Sequence, residues 1–147
     1  LLKSFKYCFK KNYDYPAIFN LHKLKNKHIV KNNNKKIILE AIKVEHGKIN
    51  SILYKINNTC AYVSDVSKIN TKDLKKIKKL KYFIVDCLRY DPHPSHFNLK
   101  NVLELVDIIK PNKTILTNMN NEIDYNEVKK LLPKNMVPSY DGMSFLI

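Results

Sequence analysis

One stretch, residues 82–109, constrains this chain more than any other. Residues 82–86 form an apolar run that closes on the carboxylate of Asp86, the pattern of a buried strand. Residues 89–96 are a polar loop stiffened by Pro92 and Pro94. From Asn98 onward, apolar residues recur at Leu99, Val102, Leu103, Leu105, Val106 and Ile109, which is helical spacing. The Asn98 side chain can cap that helix by accepting a free backbone N–H of its first turn. A buried strand that leads through a loop into an amphipathic helix points to an α/β chain, because the helix has to return over the sheet and deliver the next strand parallel to the first.

The rest of the chain follows this punctuation. Residues 6–9 and 15–21 read as weak strands, the second with Pro16 at its edge, and the asparagines within 31–36 read as a turn. Strands are expected over 37–45, 49–56 and 60–63. They are separated by His46-Gly47 and by Asn57-Asn58, so the three form an antiparallel meander. A Lys-rich helix is expected over 71–80, the central helix over 98–110, a strand over 114–117, and a helix over 124–132 that Pro133 ends. Asp141-Gly142 reads as a turn before a final strand over 143–147. A meander followed by β-α repeats predicts one domain over 1–147 with a mixed sheet. Its helices should lie on one face, since right-handed crossovers place consecutive helices on the same side.

At 147 residues and 44% hydrophobic content, the chain can bury a real core. No apolar run approaches the ~20 residues that span a bilayer, which argues against a membrane partner. The net charge of +14 invites a nucleic-acid reading, but Arg89 is the only arginine. Phosphate and base readers favour the planar fork of Arg. Lys, Asn and Ile, all abundant here, share A/T-rich codons, so base composition accounts for the charge and no specific nucleic-acid partner is expected. Cys8, Cys60 and Cys87 are odd in number and lack C-x-x-C spacing, which fits a reducing cytoplasm rather than a disulfide framework.

Polar residues with chemical capacity sit just past expected strand ends: His46, Asp65, the Asp86–His96 loop, and Asn118. Successive strand ends converge on one rim of a sheet, where His and Asp from separate strands can build a metal site on loops. Each also has an ordinary reading. His46 can be a turn residue satisfied by backbone, and Asp65 can cap a turn. Asp86 reads as structural, bonding backbone N–H groups of its own loop, and His93 between two prolines reads as facing solvent. His96, close to a helix start, is better placed for an anion. His22 and His28 read as surface residues.

Taken together, Val44-Glu45-His46-Gly47, Tyr62-Val63-Ser64-Asp65, Asp86-Cys87-Leu88-Arg89 through His93-Pro94-Ser95-His96, Ile115-Leu116-Thr117 and Tyr140-Asp141-Gly142-Met143 resemble the later motifs of the metallo-β-lactamase fold hydrolases. The pattern is most similar to the phosphodiesterases of bacterial phosphonate breakdown and more distantly to ribonuclease Z. The resemblance implies the C-terminal part of an αββα sandwich, a two-metal centre of zinc or manganese, and a phosphodiester substrate. It implies His46 as a ligand of one metal, Asp65 as a bridge between two, His96 as phosphate contact and general acid, and Asp141-Gly142 as the tight turn behind the site.

Two departures shape the expectation. The His-x-His-x-Asp-His motif, which supplies most of that family's ligands, does not occur in these 147 residues, and Asn118 follows Leu116-Thr117 where the family has His. Asn is a weaker donor to zinc or manganese than imidazole. The chain is therefore expected to be a truncated or split C-terminal portion, with ancestral phosphodiester hydrolysis and no efficient catalysis alone. It would pair with a separate N-terminal half or with a second copy of itself. A Lys-rich, non-enzymatic polyanion binder is the other class left open.

Overall fold

The computed structural model describes residues 3–10, 16–32 and 35–147. Among the described residues, seven strands lie in one sheet in the order in which they occur along the chain: β1 (Lys27–Asn32), β2 (Lys35–His46), β3 (Ile49–Ile56), β4 (Cys60–Val63), β5 (Tyr82–Asp86), β6 (Lys113–Thr117) and β7 (Met136–Pro138). The first four pair antiparallel; β4 to β7 pair parallel. The β2–β3 hairpin turns in two residues between His46 and Ile49, and Gly47 takes the left-handed φ of +59° there. Asn57 and Asn58 both adopt positive φ between β3 and β4, a conformation that Asn tolerates through local side-chain hydrogen bonding.

Each parallel step crosses over through a helix. α1 (Lys6–Phe9) precedes the sheet. α2 (Thr71–Leu74), continued by a 3₁₀ turn (Lys75–Ile77), joins β4 to β5; α3 (Leu99–Ile109) joins β5 to β6; α4 (Tyr125–Leu131) joins β6 to β7. The apolar stripe of α3, Val102, Leu105, Val106 and Ile109, packs with Val128 of α4 and Ile77 into one core. Alternate strand residues Val44, Leu53, Val63, Phe83, Val85 and Leu116 complete that core. Burying each such side chain contributes roughly 1.5–3 kcal/mol. Asn98 caps α3 with a reciprocal capping box to Asn101, so the helix begins where the Asn98 reading placed it.

Several expectations need correction. Residues 6–9 form a single helical turn rather than a strand, closed by Lys10 N–H donating to the Lys6 carbonyl. Tyr15 lies outside the described residues, and residues 16–21 are not a strand: the Ile18 and Phe19 N–H groups both donate to the Cys8 carbonyl, which leaves no ladder. β1 was not expected; it forms because β2 offers an open edge, and Asn32 pairs with Lys35. Of the turn read over 31–36, residues 33–34 lie outside the described residues. The helix expected to reach residue 80 stops at Ile77, since Lys78 is extended, Lys79 has a φ of +55°, and Leu80 turns into the core. The closing strand is β7, not 143–147; Phe145 instead stacks on Tyr82 with ring centroids 4.5 Å apart. Among the described residues, no helix is long and apolar enough to cross a membrane.

Candidate metal centre

The rim of the sheet collects side chains from five segments. β2 ends on His46, the turn after β4 carries Asp65, β5 ends on Asp86, the 87–98 loop carries His93 and His96, and Asn118 follows β6. Backbone hydrogen bonds fix these segments to one another. Cys87 N–H donates to the Thr117 carbonyl, Leu88 N–H to Phe97, Asn120 N–H to Leu88, and Ser67 N–H to Glu45. The loop is also closed from within: Arg89 donates to the carbonyls of Asp91 (3.3 Å) and Pro92 (2.8 Å), so its guanidinium shapes the loop itself.

His46, Asp65 and His96 converge, each offering a donor atom, with those atoms all within 4.8 Å of one another. The two imidazoles meet edge to face, centroids 4.6 Å apart at 77°. Each has its Nδ1 committed elsewhere. His46 Nδ1 lies 2.6 Å from the Ser95 carbonyl oxygen, a pure acceptor, so Nδ1 carries the proton. His96 Nδ1 lies 2.6 Å from Asp86 Oδ2. Both rings therefore leave Nε2 for the centre, the arrangement in which an outer carbonyl or carboxylate sets tautomer and orientation of a ligating His. Asp65 accepts from Ser64 Oγ at 3.0 Å.

Asp86 is fully buried and serves as the hub. Its Oδ2 also accepts from Val66 N–H at 3.3 Å, and its Oδ1 accepts from Asn118 Nδ2 at 3.1 Å. The backbone partner thus comes from the β4–α2 connection, not from its own loop as expected. Burial pushes the Asp86 carboxyl above the usual carboxylate range, while the bonds from His96 and Asn118 pull it down. Asn118, with φ of +60°, donates a second bond to the Ser64 carbonyl at 3.1 Å and so ties Asp86 to the Ser64-Asp65 turn. His93 is half-buried rather than turned to solvent. Its Nδ1 accepts from Ser95 N–H at 3.3 Å, its ring lies 5.2 Å from that of His96, and desolvation together with the Arg89 charge lowers its pKa.

Asp141 and Gly142, together with Asn118, Tyr140 and Phe145, line an open hollow of about 580 Å³. The Ser95 carbonyl and the Val66 N–H, both part of the geometry, are backbone groups with no signal in sequence. Ser64 stood next to Asp65 in the sequence, but nothing there showed its carbonyl facing Asn118.

No protein-family model matches the sequence, and no curated protein matches it. Solved structures do. A diphosphatase of the PhnP family superposes with a TM-score of 0.84 at 22% identity, over 99% of this chain and 53% of its own. The metallo-β-lactamase fold protein YhfI of Bacillus subtilis gives 0.72 at 12%, over 97% of this chain and 60% of its own. The short form of human tRNase Z gives 0.60 at 12%, over 80% of this chain and 44% of its own. At these identities the likeness establishes the fold, and the chain spans about half the length of the structures it resembles.

Proposed function

From a sheet of the metallo-β-lactamase fold whose rim gathers His46, Asp65 and His96, we propose a metal-dependent phosphoester hydrolase centre, of which this chain supplies one part. The convergence of those three donors within 4.8 Å, with both imidazole Nδ1 atoms already engaged, carries the reading. The ligands assigned to the ion, the His46 imidazole and the Asp65 carboxylate, suit zinc and also accept manganese. A bound ion of this kind would polarise a phosphoryl oxygen and generate a hydroxide nucleophile near neutral pH. His46 and Asp65 would hold it. His96 would hold a proton on Nε2 for the departing oxygen, because Asp86 stabilises the imidazolium through Nδ1 and keeps the ring pointed at the centre. Asn118 would brace Asp86 where the resembling family has a further imidazole.

A two-metal mechanism needs more donors than His46 and Asp65, so we expect turnover to require the His-x-His-x-Asp-His segment from a separate polypeptide or from the rest of a longer one. The test is hydrolysis of a chromogenic phosphodiester with zinc or manganese, by this chain alone and mixed with a polypeptide bearing that segment. Negligible hydrolysis by the chain alone is expected, with weak activity in the mixture that His46→Ala abolishes and Asn118→His increases. Metal-dependent turnover that survives His46→Ala would overturn the assignment.

A further inference from the structure

We propose that His96 has a second role: in the 147-residue chain it closes a single-cation site as third ligand beside His46 and Asp65. The inference rests on the reading that His46 and Asp65 hold metal, and goes beyond it in assigning Nε2 of His96 to the same ion.

Three observations carry it. The three donors come from three separate segments, the end of β2, the β4–α2 connection and the β5–α3 connection, yet lie within 4.8 Å of one another. A tetrahedral zinc shell with bonds of roughly 2.0–2.2 Å sets its donors about 3.4 Å apart, so the observed group needs a contraction of at most about 1.4 Å. Asp65 is the member able to supply it: it is half-buried, and Ser64 Oγ is its one hydrogen-bond partner among the described residues. His96 is already oriented. It is mostly buried, and Asp86, wholly buried behind it, fixes Nδ1 as the protonated nitrogen. The same tautomer on His46, fixed by the Ser95 carbonyl, gives two Nε2 lone pairs on one side of the rim.

A functional consequence follows from counting lone pairs. The Nε2 lone pair of His96 cannot coordinate a cation and carry the leaving group's proton at the same time. A chain loaded with one ion in this way therefore has no free general acid. It is a resting form, and catalysis requires that a fuller ligand set draw the ion off His96.

The test reads nitrogen directly. With ¹⁵N-histidine label, zinc is titrated into the chain and the long-range imidazole ¹H–¹⁵N signals are followed. Nε2 of both His46 and His96 should move to metal-bound positions together and saturate at one equivalent, while His22 and His28 stay in place. Competition with a chelating dye should show zinc affinity falling tenfold or more in His96→Gln, and likewise in His46→Ala and Asp65→Ala. Thermal melting without metal establishes that each variant is folded, and the wild-type titration stands even if one is not. If His46 Nε2 shifts, His96 does not, and His96→Gln binds as the wild type, this inference is overturned and the phosphoester reading survives. If neither histidine shifts, both fall.

Discussion

Gly47→Ala probes how the centre is held together. A Cβ at position 47 would lie 2.9 Å from Ser95 Cβ and 3.5 Å from Ser95 Cα, at a φ of +59°. Carbon atoms settle at ~3.5–4.0 Å, so the 87–98 loop would have to retreat by about 0.6–1.1 Å. The Ser95 carbonyl moves with it. Its 2.6 Å bond to His46 Nδ1 would lengthen to about 3.2–3.7 Å, at or beyond the limit of a real hydrogen bond. Two costs are expected. Stability should fall by about 2–5 kcal/mol, from a left-handed Ala (~1–2) and from overpacking (~1–3). Zinc affinity should fall about 10–100-fold, because His46 loses the partner that fixes its tautomer. Chemical denaturation measures the first and dye competition the second. Ser95→Gly removes the atom that the new Cβ strikes while keeping the carbonyl, so Gly47→Ala/Ser95→Gly should recover most of the affinity but not the φ cost. A folded Gly47→Ala chain with wild-type affinity, or a double variant that recovers nothing, would refute the reasoning.

Two further perturbations test the fold. Asn98→Ala removes the α3 capping box and the bond from Asn98 Nδ2 to the Tyr90 carbonyl, and should cost about 1–2 kcal/mol with a Tm drop of several degrees by calorimetry. Cys60 and Cys87 are buried, and burial pushes their thiols from 9.0 up to about 11 and about 12, so the fold binds those protons more tightly than the unfolded chain does. Their contribution to stability is therefore fully present below about pH 9 and is lost as pH rises through 11 and 12. A thiol reagent at pH 8 should label the half-buried Cys8 quickly and the other two only after denaturation, and fast labelling of Cys87 would contradict the core packing.

What sequence alone determined was the βα frame. Residues 37–63 and 82–132 read correctly as strands and helices, apart from small shifts at their ends, because local periodicity encodes burial on one face: the alternation in β3, the 3.6-residue stripe of α3, the cap at Asn98. It also marked His46, Asp65, Asp86, His96 and Asn118 as rim residues, since each follows a strand end. Where the conformation depends on a distant partner, the reading failed. Lys27–Asn32 has little strand patterning of its own and is a strand because the β2 edge pairs with it. Residues 143–147 do carry apolar side chains, yet they lie across a sheet whose adjacent edge position was already taken by β7. Only the tertiary structure decided the chemistry of the rim: Asp86 turned toward Val66, His96 and Asn118, Arg89 turned into its own loop, and a backbone carbonyl of Ser95 chose the nitrogen with which His46 faces the centre. The reason is physical. Sequence pattern reports which face of an element is buried, whereas tautomer and ligand spacing depend on sub-ångström contacts between segments as many as 54 residues apart, which no local pattern encodes.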